Sequence, residues 1–344
     1  MELSRKDTKM LQGLAVLAMV CLHLFCRFDY EGLFYPFIFI GSRPLSFFFG
    51  QLSDFCVMCF AFCSGYAHMA LYKQENYYKN RLKSLIPLLI NYWLIILFYC
   101  IVNLCLSNGL PGGIQGLLGN VFLYNVSYNG AWWYMWAYVL LVLISPLILK
   151  AVQKVNSVII LVIGLAIYVV AYYVRFKVDT SNYFLVRFGP FGMTLFEYII
   201  GCIFYKNSIF SKLYKIWEKL PKAIRIIGSI VIFVSLLFIR TLFIPTLFVA
   251  PISGLMIMIL FHFWRKPKFV ETAFLFVGNH STNIWLTHMF FYHTLFVNLV
   301  YNAYEPILIY LFMLAITIAL SYILKLIMYP INKCFKNNKK EKTV

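Results

Sequence analysis

The stretch LQGLAVLAMVCLHLFCR, Leu11 to Arg27, carries no formal charge until its last residue. It nevertheless holds Gln12 and, about three helical turns further on, His23. In water those two residues would be ordinary. In lipid they are expensive, so the solvent of the chain decides what they mean.

Composition names that solvent. The chain has 344 residues, of which 62% are hydrophobic and 12% charged, and its mean hydropathy is +0.80. A soluble domain carries about 25% charged residues. A chain this apolar cannot cover itself with polar surface, so lipid must surround it. The net charge of +18 does not point to nucleic acid, because Lys and Arg sit in short loops between apolar blocks.

A spanning helix needs roughly 20 mainly apolar residues. Windows of that kind fall at about 10–27, 46–71, 85–107, 132–149, 156–174, 189–205, 223–243, 245–264, 273–299 and 306–329. The expected fold is therefore all-α, one polytopic membrane domain over residues 1–344. Its roughly ten transmembrane helices lie within 10–329, with a basic tail at 330–344. The first span lacks a small-residue cleavage site and reads as an anchor rather than a signal peptide. Alternate loops carry about 23 Lys and Arg on one side and about six on the other, namely Arg27, Arg43, Arg175, Lys177, Arg187 and Arg240. That bias puts both termini in the cytoplasm.

The nine cysteines read as small apolar packers. Cys56, Cys59 and Cys63 share a helix face but have no His or second Cys pair nearby, so no metal site is expected.

Ionisable groups at membrane depth are functional candidates by default. They are His23, Asp54, His68, Glu197, His262, His280, His288, His293 and Lys325. On a helix at 100° per residue, Gln12, Val16, Met19 and His23 share one face, and Lys9 lies close to that face one turn earlier. The first span runs outward and the second inward, which brings His23 and Asp54 to similar depth, where they could pair. Asp54, Ala61, Gly65 and His68 form a stripe whose small residues admit another helix. His68, His262 and His293, near span ends, read as structural hydrogen-bonding groups. Trp132 and Trp133 open the fourth span where an interfacial aromatic belt belongs.

Two loops stand out. The uncharged outer segment 108–131, rich in Gly, Asn and Tyr, suits a re-entrant loop, a lid or an ordinary exposed loop. The inner segment 206–225 is basic, with Phe210, Tyr214 and Trp217 interspersed, and reads as an interfacial helix on anionic lipids.

Five segments in order carry a resemblance. They are the opening run ending in His23; DFCVMCFAFCSGYAHM with Ser64-Gly65-Tyr66; RLKSLIPLLINYW with Arg81 and Pro87; AWWYMWAYVLLVLISPLIL closing on Pro146; and VGNHSTNIWLTHMFF ending at His288. Together they resemble the acyltransferase-3 family of integral membrane O-acyltransferases. The resemblance implies transfer of an acyl group, often acetyl, from cytoplasmic acyl-CoA to a hydroxyl of an extracytoplasmic glycan or lipid-linked sugar. It also implies a multi-pass protein of a bacterial cell membrane, among membrane lipids, without metal or nucleic acid. It leaves room for a homo-oligomer.

In that family a first-span Arg precedes the His. His23 matches the His, whereas Gln12 stands where the Arg would be and Lys9 offers a replacement charge. His23 is expected to act as general base, with Asp54 orienting it and His288 and Glu197 as further catalytic candidates. Lys9, Gln12, Arg81, Lys83, Arg265 and Lys268 are expected to hold the donor's phosphates. The rival expectations are a polysaccharide or small-molecule exporter, whose proton relay would use the same buried groups, and a purely structural membrane partner.

Overall fold

A computed structural model describes residues 2–179, 181–242 and 248–340. In chain order the helices are α1 (Arg5–Phe25), α2 (Leu45–Leu52), α3 (Cys56–Leu71), α4 (Tyr77–Cys105), α5 (Gly113–Val121), α6 (Trp133–Lys154) and α7 (Ser157–Lys177). They continue as α8 (Tyr183–Lys206), α9 (Ile209–Lys219), α10 (Lys222–Leu242), α11 (Ala250–Phe263), α12 (Lys268–Met289), α13 (Val297–Tyr301) and α14 (Pro306–Lys340). A two-residue hairpin, β1 (Phe39–Ile40) against β2 (Arg43–Pro44), is the one sheet among the described residues.

The protein is an all-α, multi-pass membrane protein, and among the described residues eight helical segments are long and apolar enough to span. The two remaining expected spans fall short for different reasons. The window 245–264 becomes the 14-residue α11, with residues 243–247 outside the described structure. In α12 the run Asn279-His280-Ser281-Thr282-Asn283 lowers the hydropathy. Helices are the expected form, because lipid offers no partner for backbone N–H and C=O groups. α7 and α10 turn most of their apolar side chains outward, including Ile163, Val170, Ile227 and Phe238. That surface suits lipid rather than water.

Contacts gather the chain into two compact units, residues 1–77 with 143–281 and residues 78–142 with 282–344.

The first unit is built around α3, α8 and α7. Gly65 and Gly201 make the α3–α8 crossing possible: a Cβ on either would lie inside van der Waals contact with the backbone of Tyr198 or Phe62. This is the close approach foreseen for Gly65. Gly13 and Gly278 do the same for α1 and α12. Cys59 donates weakly to the Leu11 carbonyl and Cys202 to that of Gly65, so both thiols pack at helix contacts. On α9, Phe210 is buried beside Phe62, Phe204 and His262, while half-buried Tyr214 and Trp217 lie against Phe263.

In the second unit, Asn91 Nδ2 donates to Asn283 Oδ1 at 2.8 Å, and Asn283 Nδ2 donates to Ser321 Oγ at 3.0 Å, tying α4, α12 and α14 together. Part of segment 108–131 is ordered as α5. Buried Asn120 then closes the following turn, accepting from the Tyr128 amide and donating to Asn125 and Ser127. Trp132 does not sit in a belt. It is buried and donates to the Leu286 carbonyl at 2.9 Å.

Candidate functional site

The α1 face predicted from helical periodicity exists. Val16 and Met19 are buried in its middle, and Gln12 and His23 are half-buried toward its two ends. The eleven-residue separation puts these ends about 16 Å apart along the helix. Lys9 Nζ donates to Gln12 Oε1 at 2.7 Å, so a cation does reach the place of the missing arginine. A glycine pair brings α12 directly against this turn: a Cβ on Gly278 would press on the Lys9 backbone.

Around the N-terminal end of α1 the charges are mixed. Lys6 pairs with Glu271, and His262 Nδ1 lies 3.8 Å from Asp7 Oδ1. Arg265 and Lys268 are exposed. Between them Lys266, which sequence reasoning passed over, donates to the Trp264 and Phe261 carbonyls and lies 4.3 Å above the Phe261 ring. Burial lowers its pKa below that of an ordinary lysine, against the opposing pull of Asp7 and Glu271. The signal for Lys266 was weak, because a lysine in a basic loop is the usual consequence of charge bias.

At the other end of α1, Asp54 has Arg240 as its ion-pair partner, with Nη2 to Oδ2 at 2.6 Å and both side chains buried. Arg240 was counted as a loop charge. It lies in the last turn of α10, and with Leu236 one turn earlier it forms the buried part of an otherwise lipid-exposed helix. Its Nε and Nη2 also approach the Gln51 carbonyl at 3.4 Å. The available clue was the context LLFIRTLF, an Arg with apolar residues on both sides. Arg175 also leaves the loop count. It is half-buried on α7, where a Cβ on Gly189 would meet its side chain. Buried Glu197 on α8 has Asp54 and Arg175 as the charged groups acting on it.

His68 meets its structural expectation. It is buried, with Nδ1 2.8 Å from the Tyr198 hydroxyl.

The second unit holds His288, Arg81 and Lys83. His288 is fully buried on α12, with Nδ1 2.7 Å from the Trp285 carbonyl. A carbonyl only accepts, so Nδ1 carries the proton and the lone pair of the neutral ring sits on Nε2. The ring stacks on Tyr292 at 5.9 Å, at the start of a π-helical turn, Phe290–Thr294. Such turns are frequent at functional sites. Just before it, the Leu286 carbonyl accepts from Asn129 and Trp132, and Trp285 Nε1 donates to the Ala131 carbonyl. Arg81 is half-buried and acts on Tyr138, whereas Lys83 is exposed.

A family model described as an acyltransferase domain matches residues 8–326, nearly the whole chain. The chain belongs to the acyltransferase-3 family. Comparison with curated proteins and with solved structures gives no match. Membership makes this multi-pass protein a membrane acyltransferase, and it spans both units, including α1 with His23 and α12 with His288.

Proposed function

We propose that the protein moves an acyl group, acetyl in the simplest case, from cytoplasmic acyl-CoA to a hydroxyl of an extracytoplasmic carbohydrate or lipid-linked sugar, in a bacterial cell membrane with both termini inside. The observation that carries this is the α1 face: Lys9 bonded to Gln12 at one end and His23 about 16 Å further along. The cation end suits the donor's phosphates, and the same unit holds exposed Arg265 and Lys268.

His23 takes the proton of the acceptor hydroxyl as its oxygen attacks the thioester carbonyl. The carbon–sulfur bond breaks, the acyl group joins the acceptor oxygen, and the departing thiolate takes the proton back. A positioned base of this kind contributes typically 10²–10⁴-fold. His288, with its tautomer set by the Trp285 carbonyl, is a second imidazole whose Nε2 can accept a proton.

The test is label transfer from radioactive acetyl-CoA in membranes at matched expression. His23→Ala is expected to abolish transfer and donor hydrolysis alike. Near-normal turnover in that variant removes His23 from the mechanism, and a wild type that ignores acetyl-CoA favours an exporter.

A further inference from the structure

Four side chains from α2, the turn after it, α8 and α10 form a buried polar cluster whose ion pair leaves several groups unanswered. Gln51, Asp54, Glu197 and Arg240 are 2%, 3%, 3% and 3% exposed. Gln51 and Asp54 are three residues apart on a continuous helical path and therefore neighbours on one face. Arg240 joins them, 2.6 Å from Asp54 and 3.4 Å from the Gln51 carbonyl. Glu197 is buried on α8, which packs along α3, the helix that directly follows the Asp54 turn, and Asp54 is one of the charges acting on it. Oε1 and Nε2 of Gln51, Oε2 of Glu197 and Oδ1 of Asp54 make no hydrogen bond within the protein, Asp54 Oδ2 being taken by Arg240. Buried polar atoms in native structures find partners, so a set of them in one place marks where a ligand supplies the missing bonds.

The chemistry of the set selects the ligand. The open acceptors are Gln51 Oε1, Glu197 Oε2 and Asp54 Oδ1, and the donor is Gln51 Nε2. Two carboxylates stand against Arg240 and, acting on Glu197, Arg175. That balance gives no net positive field for a phosphate, and an acyl chain would leave every group unanswered. Neighbouring hydroxyls, each able to donate and accept, answer all of them. The cluster also lies against the end of α1. A Cβ on Gly50, next to Gln51, would meet Cys26 N at 2.7 Å and Cys21 O at 3.2 Å, on either side of His23 in sequence.

We propose that Gln51, Asp54, Glu197 and Arg240 form a binding site for a neutral polyhydroxylated ligand and hold the acceptor's hydroxyls beside the His23 turn of α1. The ligand's role as acceptor rests on the acyl-transfer reading, but its binding does not. The full chain in lipid nanodiscs is melted against increasing methyl α-D-glucopyranoside, since a ligand that binds the folded state raises Tm.

The wild-type Tm is expected to climb with glycoside and to ignore inorganic phosphate. Gln51→Leu and Glu197→Gln are each expected to weaken the apparent affinity about tenfold. Gln51→Leu exchanges an amide without partners for an apolar group of similar size, so its fold survives the comparison. A wild-type Tm indifferent to the glycoside, both variants with wild-type affinity, or a phosphate response each overturns the site. Labelled acetyl-CoA separates the two ideas. Glycoside binding without acetyl-CoA consumption supports the site and sinks the acyl-transfer reading, whereas His23-dependent consumption with no glycoside response does the reverse.

Discussion

Removing the Asp54 carboxylate should damage the protein more than removing its partner, and removing both should cost less than removing Asp54 alone. The charges are 2.6 Å apart and both side chains are buried. At an effective dielectric of about 20, Coulomb's law gives a gross attraction of about 6 kcal/mol at that separation. Desolvation of each ion costs several kcal/mol, so the intact pair nets little. The asymmetry comes from the survivor. In Asp54→Leu the guanidinium stays charged with no way to shed its proton, and the expected loss is about 3–5 kcal/mol. In Arg240→Met the remaining carboxylate can take up a proton, so the loss is smaller. The double variant Asp54→Leu/Arg240→Met should recover about 2 kcal/mol or more relative to Asp54→Leu, because no buried charge is left alone. Equilibrium unfolding of the four proteins in one detergent, closed as a double-mutant cycle, measures the coupling. Additive effects, or an Asp54→Leu variant within about 0.5 kcal/mol of wild type, would refute the buried pair.

Gly65→Ala forces a methyl into the Tyr198 backbone and should destabilise the α3–α8 crossing by about 1–3 kcal/mol, read in the same unfolding assay, whereas Gly228→Ala, where no atom is near, should not. Lys9→Ala removes the cation from Gln12 and is expected to raise KM for acyl-CoA about tenfold or more while leaving the acceptor KM alone; equal effects on both would end the assignment. Burial would raise the Glu2 pKa, but hydrogen bonds from the Tyr66 hydroxyl and Ser211 outweigh it and hold the group below its ordinary value of 4.5. A lowered folded-state pKa gives stability that is complete above the ordinary value and lost as pH falls through the folded one. The Tm advantage of wild type over Glu2→Gln should therefore be present at neutral pH and fade below about 4.5. It should be worth under about 1 kcal/mol, given how exposed the group is.

The opening run of α1 determined most of what sequence could determine. Lipid allows a spanning backbone only one local solution, so apolar length translates directly into helices, and the periodicity of a helix fixed Gln12, Val16, Met19 and His23 on one face. Lys9 bonding Gln12 was legible for the same reason, since residues three apart on a helix are neighbours. The burial of Phe210 on α9 was not legible, because an amphipathic helix has the same pattern whether its apolar face meets lipid or protein. Arg240 was misread because charge bias is a statistic of loops and cannot recognise a guanidinium buried at a helix end. Its partner lies 186 positions away in the chain, a contact made only when α10 packs on α2 and the turn after it. The chain alone decided where the helices run and which face of α1 is polar at its ends. Only the packing decided that Asp54 answers to Arg240, and that Gln51 and Glu197 are buried in the same cluster with bonds still to make.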